Sequence, residues 1–248
     1  MGTHQEVSGI VKSDIIVNSG IGGDLREDLY NTAIMDLRSV SLNRGNYEAS
    51  VGDFDPLWRL LAEKSDRRGS IWILGRNFFD QELLPFPLDI THRIESITDF
   101  KLRNVLVVYR EEPYPSSKFL AGTHFLIPFL VKAPTDYYFD KDSIREPHIF
   151  KDIEWGKRTV GKSGYSDEEK PRYSAKGRDP GNVFYRTLRN GEGYVISVNG
   201  YADEEIYEKL VKASSRKDGT VVSNVSDVAF RRLVSGLGRK LAIWETRR

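Results

Sequence analysis

The chain contains no cysteine, which excludes a disulfide scaffold, a thiolate zinc site and a cysteine nucleophile. Histidine is scarce too: the 4 histidines are far apart and form no metal-ligand spacing, so we predict no metal site. No apolar run approaches the roughly 20 residues of a membrane span. The first residues lack the basic segment and apolar stretch of a signal peptide. We therefore expect a cytoplasmic protein that does not associate with membranes.

The chain also lacks an excess of charge of either sign. Its 248 residues include 37 basic and 36 acidic side chains, so bulk charge does not mark it as a nucleic-acid-binding protein. Positive charge is concentrated locally: residues 157–178 carry 7 basic and 3 acidic side chains, and residues 231–248 carry 6 and 1. These two segments are either solvated surface or a face for an anionic partner.

Short, continuous apolar runs bounded by turn residues indicate an α/β fold. Runs without alternation are typical of strands that are buried on both faces, with helices above and below the sheet. The predicted strands are residues 14–17, 69–75, 104–109, 125–131, 137–140, 193–198, 219–222 and 238–245. No flexible linker is visible, so we predict a single domain over residues 1–248.

Polar signals predict where some helices begin and where the chain leaves the sheet. Asp203 can cap one helix, and Ser226 or Asp227 can cap another. Residues 151–182 are rich in Lys, Arg, Gly, Ser and Pro and have little periodicity. Long segments of this kind are usually functional or disordered. We predict one large polar insertion over residues 110–182.

Four stretches of the chain resemble, in the same order, segments of one known enzyme family: residues 69–75 (GSIWILG), 102–109 (LRNVLVVY), 137–148 (YYFDKDSIREPH) and 177–183 (GRDPGNV). The chain resembles the DNA amino-methyltransferases of the permuted β type, which transfer a methyl group from S-adenosylmethionine to the exocyclic amine of adenine or cytosine. The third stretch is the most specific. The resemblance implies a Rossmann-like methyltransferase sheet with helices on both faces, and it implies that the insertion at 110–182 recognises the DNA target.

The catalytic loop of that family, D-P-P-Y, directly follows its first strand. The first residue of the loop accepts hydrogen bonds from the target amine, and the aromatic residue stacks on the extruded base. The loop after the predicted strand at 14–17 consists instead of Asn18, Ser19, Gly20, Ile21 and Gly22. It contains no acidic and no aromatic residue. Asn18 could replace the acceptor, since some members of the family use Asn, but the loop as a whole predicts a degenerate catalytic site.

The cofactor loop of the family, F-x-G-S-G between a strand and a helix, is altered as well. Its glycines allow the backbone to approach the cofactor closely. Residues 221–228 (VVSNVSDV) stand in its place and contain no glycine. Glu245 stands where the family has an acidic residue on the cofactor ribose. The resemblance thus implies S-adenosylmethionine as cofactor, while the altered loop predicts that this chain does not bind it.

The basic residues of the insertion lie where the family keeps its target-recognition region, and we predict that they contact double-stranded DNA. They are Lys157, Arg158, Lys162, Lys170, Arg172, Lys176 and Arg178. The favoured hypothesis is an inactive methyltransferase-like protein that serves a DNA modification system as a DNA-binding or partner subunit, beside a catalytic paralogue or as a homodimer. Two alternatives remain: an active methyltransferase with an unusual site, and a protein-interaction module that does not bind DNA.

Overall fold

The computed structural model describes residues 13–16, 29–80, 82–110, 123–148, 176–189 and 195–246. Helices and strands are mixed along these residues, as in an α/β fold. The helices are α1 (Tyr47–Asp53), α2 (Asp55–Lys64), α3 (Phe86–Ile97), α4 (Asp203–Ser214) and α5 (Val228–Gly236), with a 3-10 turn at Asp142–Ile144. The strands are β1 (Ser13–Ile16), β2 (Tyr30–Asp36), β3 (Ser65–Leu74), β4 (Phe78–Asp80), β5 (Glu82–Leu84), β6 (Lys101–Tyr109), β7 (His124–Val131), β8 (Val183–Phe184), β9 (Arg186–Arg189), β10 (Val195–Asn199), β11 (Thr220–Ser223) and β12 (Lys240–Thr246).

The main sheet is mixed and has eight strands in the order β1-β12-β11-β2-β3-β7-β6-β8. Strands β12, β11, β2 and β3 are parallel neighbours, whereas β1 and β7 run antiparallel to theirs. From β2 the chain moves outward to β3, and from β11 it moves outward in the other direction to β12. The strand order therefore reverses between β2 and β11. In open α/β sheets, ligands bind outside the carboxyl ends of the strands at such a reversal.

Helices cover both faces of this sheet, which confirms the predicted layering. Ala33 of β2 and Ile71 of β3 are buried in one core with residues of α1, α2 and α3. Their sequence neighbours, Ile34 and Trp72, are buried in a second core with residues of α4 and α5. Successive residues of a strand point to opposite faces, so a continuous apolar run is what fills two cores at once.

Most strands predicted from continuous apolar runs are confirmed. The predictions at 69–75, 125–131 and 219–222 correspond to β3, β7 and β11, and those at 104–109 and 238–245 correspond to β6 and β12. All five lie in the main sheet.

Residues 137–140 form no strand, contrary to the prediction. Tyr137 and Phe139 instead place their rings around Phe129 of β7, with centroid distances of 5.9 and 5.7 Å. The strand predicted at 193–198 is β10, and it pairs with β9 in a separate two-stranded sheet. Aromatic packing and a local strand pair, rather than the main sheet, therefore order these segments.

The central strand β2 is not indicated by the sequence pattern, because polar residues interrupt its apolar run. Thr32 within it is fully buried, and its Oγ1 lies 3.0 Å from Ser70 Oγ of β3 and 2.9 Å from Ser214 Oγ of α4. These bonds satisfy a polar side chain that would otherwise oppose burial. Strand β1, predicted at 14–17, lies at the edge of the sheet.

The predicted insertion at 110–182 includes part of the core. Residues 124–131 within it form β7, which lies between β3 and β6 in the main sheet, and most of its side chains are buried. Strand β7 is therefore part of the core, and the DNA-recognition role of residues 110–182 stays a prediction. Residues 111–122 and 149–175 lie outside the described residues.

Candidate functional site

The carboxyl ends of β2 and β11 meet at the reversal of strand order and are tied together by one amide side chain. Strand β2 ends at Asp36, and Asn224 directly follows β11. The backbone N–H of Asp36 donates to Asn224 Oδ1 at 2.8 Å, and Asn224 Nδ2 donates to the backbone carbonyl of Asp36, also at 2.8 Å. Asn224 therefore bridges the two strand ends within the loop where the resemblance places the cofactor glycines.

The side-chain carboxylate of Asp36 is surrounded by hydrogen-bond donors. Its Oδ1 accepts from the backbone N–H and the Nε of Arg38, both at 3.0 Å. Its Oδ2 accepts from Arg38 Nη2 and from the Tyr207 hydroxyl of α4, both at 2.5 Å. An ionised carboxylate has about four lone-pair sites. The acceptor capacity of Asp36 is therefore filled by its own protein.

Arg38 links this carboxylate to a second one. Its Nη1 and Nη2 donate to the two carboxylate oxygens of Asp203 at 2.8 and 3.0 Å. Arg110, which directly follows β6, also donates to Asp203, at 3.3 Å. We call Asp36, Arg38, Arg110, Asp203 and Tyr207 the switch-point network. Its two carboxylates and two guanidinium groups balance in charge.

The switch-point network is partly buried, and the pKa values of Arg38 and Tyr207 are shifted. Burial alone would lower the pKa of Arg38, but its hydrogen bonds to Asp36 and Asp203 raise it above the usual value. Burial and the Asp36 carboxylate raise the pKa of Tyr207, so its hydroxyl remains a donor. Arg38 and Tyr207 are thus held as donors to the Asp36 carboxylate.

Asp203 does not cap α4 as the sequence predicts. The N-cap residue is Ala202, and Asp203 is the first residue of the helix. Its carboxylate turns instead to Arg38 and Arg110. The prediction for Asp227 is confirmed, because its Oδ1 accepts a hydrogen bond from the backbone N–H of Phe230 at 2.7 Å.

The predicted catalytic loop, residues 18–22, lies outside the described residues. The strand before it, β1, pairs with β12 at the edge of the sheet and not at the reversal. Glu245, the predicted cofactor contact, lies in β12, where its backbone pairs with Asp14 of β1. The residues that do meet at the reversal, Asp36 and Arg38, were not among the predicted site residues. The signal that could have found them is the Asp at the end of the run at 33–36 (AIMD).

Of the seven predicted DNA contacts, Lys157, Arg158, Lys162, Lys170 and Arg172 lie outside the described residues. The remaining two are in ion pairs with acidic side chains. Lys176 contacts Asp142, and Arg178 contacts Glu146. The Glu146 carboxylate also accepts from Lys209 at 3.0 Å, so Arg178 is part of a packed charge cluster.

Two further findings concern only the described part of the chain. It holds no group of three or more His, Asp or Glu side chains placed to bind a metal ion. None of its helices is long and apolar enough to cross a membrane.

Comparison with known proteins identifies the fold. No protein-family model and no curated protein sequence matches the chain. Among solved structures, the cytosine-N4-specific PvuII DNA methyltransferase matches with a TM-score of 0.58 at 12% identity, over 88% of this chain and 76% of that chain. TTHA0409 of Thermus thermophilus, assigned as a DNA modification methylase, matches with a TM-score of 0.55 at 14% identity, over 88% and 82%. A structure of TTHA0409 with S-adenosyl-L-methionine matches with a TM-score of 0.55 at 15% identity, over the same shares.

The chain therefore has the Rossmann-like α/β fold of DNA methyltransferases. The TM-scores of 0.55 and 0.58 establish this fold, and at 12–15% identity the likeness extends to the fold alone.

Proposed function

We propose that this chain is a DNA methyltransferase-like protein that does not transfer methyl groups and acts as a DNA-binding or partner subunit of a DNA modification system. The partner would be a catalytic paralogue or a second copy of the chain. One observation carries the proposal: the carboxylate at the end of β2 is fully engaged by Arg38 and Tyr207. A target amine would have to displace these donors before the carboxylate could accept its proton.

We further propose that residues 36–39 (DLRS), rather than residues 18–22, take the place of the family's D-P-P-Y loop. Two features support this assignment: β2 ends at the reversal of strand order, and its last residue, Asp36, is acidic. Arg38 and Ser39 stand where the second proline and the aromatic residue would be. The loop then keeps the acid and loses the ring that would stack on an extruded base.

The proposed loss of cofactor binding is supported at the neighbouring strand end. Side chains occupy the end of β11 and the loop after it: Asn224 bonds to Asp36, and Ser223 Oγ donates to the carbonyl of Ile34 at 2.6 Å. Asp227 is engaged as the cap of α5. A glycine loop would leave open backbone for the cofactor at this place. Glu245 remains the candidate ribose contact.

Calorimetric titration of the purified chain with S-adenosylmethionine tests this function. We expect no heat above dilution at cofactor concentrations up to about 1 mM, where even an affinity of about 4 kcal/mol would be visible. An active methyltransferase titrated in parallel is the control. A micromolar dissociation constant would contradict the proposal.

The active-enzyme alternative has one observation in its favour, the retained carboxylate of Asp36. It would be supported if the chain transferred a radiolabelled methyl group to duplex DNA above the no-protein control and an Asp36→Ala variant did not.

Binding of duplex DNA is expected to be salt-sensitive. If cations of the insertion reach phosphates, the logarithm of the binding constant should fall with the logarithm of salt concentration by about 0.9 per phosphate contacted. Fluorescence anisotropy with a labelled duplex measures this slope. The test variant replaces four cations with Ala: Lys157, Arg158, Lys162 and Lys170. We expect it to bind more weakly and with a flatter slope.

A matched control removes the same number of positive charges from exposed positions outside the insertion. These positions are Arg44, Arg59, Arg67 and Lys217. Equal losses in both variants would show that binding depends on bulk charge and not on the insertion. No binding even at low salt would favour the interaction module, and a pull-down for a catalytic partner would follow.

A further inference from the structure

A cavity of about 480 Å³ lies away from the switch-point network, between the sheet face of β3, β7 and β6 and helix α4. Its size falls within the roughly 300–1,000 Å³ of small-molecule sites. Parts of two stretches that carry the resemblance, residues 137–148 and 177–183, line its wall.

One wall of the cavity is aromatic. Trp72 and Phe129 stack with ring centroids 3.9 Å apart and an interplanar angle of 19°. Tyr137 and Phe139 extend this cluster toward solvent. Phe139 is 39% exposed, which is high for a phenyl side chain in contact with a core cluster. An exposed ring at the edge of an aromatic cluster is suited to stack on a planar ligand.

A guanidinium group is placed beside this wall by a β-bulge. The pairing of β6 with β7 skips Arg103 between Leu102 and Asn104, and bulges of this kind redirect a side chain. Arg103 Nε donates to the Tyr137 hydroxyl at 3.1 Å, and the guanidinium lies 5.9 Å from the centre of the Tyr137 ring.

Arg103 is also the cation of the cavity lining that lacks an acidic partner among the described residues. The two lysines of the lining each contact a carboxylate: Lys141 pairs with Asp179 at 2.9 Å, and Lys209 lies 3.0 Å from Glu146, which it shares with Arg178. Arg103 thus offers a fork of donors to an anion such as a phosphate.

Two amide side chains of the lining present complementary polar atoms. Asn104 Oδ1 accepts from the backbone N–H of Val105 at 2.8 Å, which leaves its amide N–H groups available. Asn182 Nδ2 donates to the Val105 carbonyl at 3.3 Å, which leaves its amide oxygen available. A donor and an acceptor of this kind match the edge of a nucleobase.

We propose that this cavity binds a nucleotide unit, with its base against the aromatic wall at Phe139 and its phosphate on Arg103. The unit could come from a free mononucleotide or from an unpaired nucleotide of DNA. The proposal goes beyond the function argued above, since binding of a mononucleotide requires neither DNA binding nor a partner.

Calorimetry of the full-length chain with dAMP and dCMP tests the site, with deoxyadenosine and inorganic phosphate as the separated halves of the ligand. We expect both mononucleotides to bind and deoxyadenosine to bind about tenfold more weakly, because it lacks the contact to a charged donor. An Arg103→Gln variant should reduce the affinity for dAMP to about that for deoxyadenosine and leave deoxyadenosine binding unchanged. A Phe139→Ala variant should bind both dAMP and deoxyadenosine more weakly than wild type. An Arg59→Gln variant, at an exposed position on α2, is the matched control and should leave the affinities for dAMP and deoxyadenosine unchanged.

Arms with DNA distinguish the two sources. If a single-stranded oligonucleotide binds and dAMP competes with it, the natural ligand is a nucleotide of DNA; if dAMP binds without competing, it is a free nucleotide. The proposal is overturned if neither mononucleotide binds at millimolar concentration, or if both bind to the Arg103→Gln and Phe139→Ala variants as tightly as to wild type. Absence of duplex binding at low salt would contradict the DNA-binding role proposed above and would leave the mononucleotide result intact.

Discussion

An Arg38→Ala variant is expected to lose about 3 kcal/mol of its free energy of unfolding, because removing one partner of a buried ion pair leaves the other charge uncompensated. The side chains of Arg38 and Asp36 are 14% and 15% exposed. Without the guanidinium, Asp36 keeps the Tyr207 hydroxyl as a side-chain donor, and Asp203 keeps Arg110. Urea titration of wild type and variant at neutral pH measures the loss.

Two further variants show whether the cause is the buried charge. Arg59→Ala removes an exposed arginine and should change the free energy of unfolding by less than about 0.5 kcal/mol. Combining Arg38→Met with Asp36→Leu replaces the pair by apolar side chains and should recover most of the loss. If Arg38→Ala unfolds at the same urea concentration as wild type, the switch-point network does not stabilise the fold.

The same variant should respond differently to acid. Burial alone would raise the pKa of Asp203, but its hydrogen bond to Arg38 and the charges of Arg38 and Arg110 lower it below the ordinary value. A carboxyl with a lowered folded-state pKa stabilises the fold above its unfolded-state pKa. That stabilisation is lost as the pH falls through the folded-state pKa. The free energy of unfolding of wild type should therefore fall as the pH drops from the unfolded-state pKa of Asp203 through its folded-state pKa. In the Arg38→Ala variant, the free energy of unfolding should fall less over the same pH range.

A Trp72→Ala variant is expected to lose about 4 kcal/mol, which is typical of truncating a large buried aromatic side chain. Trp72 is 2% exposed and stacks on Phe129, and its indole Nε1 donates to Ser214 Oγ of α4 at 2.9 Å. The truncation removes the stacking, opens a void in the core and breaks a link between sheet and helix. Thermal and urea unfolding, each followed by circular dichroism, measure the effect.

A Trp72→Phe variant separates the two contributions. It keeps a ring on Phe129 and removes the bond to Ser214, whose hydroxyl still lies 2.7 Å from the Leu210 carbonyl. We expect a loss of about 1 kcal/mol from the missing hydrogen bond, plus the smaller void. Equal losses for the Phe and Ala variants would mean that the hydrogen bond, and not the packing, stabilises this contact.

Elements with strong local patterns could be predicted from the sequence. The run at 69–75 is apolar and bounded by glycines, and it forms β3. Asp227 has a short side chain just ahead of an apolar helical face, and it caps α5. In both cases, the residues that carry the signal are close in sequence, so the local chemistry is enough to define the element.

The part of the site that could not be predicted depends on contacts between distant residues. Strand β2 carries Thr32, a polar residue that the sequence pattern does not assign to a buried strand. Its burial depends on hydrogen bonds with Ser70 and Ser214, which are distant in sequence. Because the sequence pattern does not indicate β2, it places the catalytic loop after the run at 14–17. The sequence predicts that Asp203 caps a helix, because its contact with Arg38 appears only in the folded structure.

The fold class, the helices on both faces of the sheet and the absence of glycine from the loop after β11 follow from local periodicity and residue type, so they can be predicted without the structure. The packing of distant elements, in contrast, sets which strand ends at the reversal of strand order and which side chains its last residue contacts. Arg38 and Asp203 are 165 positions apart, and their pairing depends on how β2 and α4 pack across the sheet. Such a contact is set by the summed burial of the whole core, which no local pattern reports.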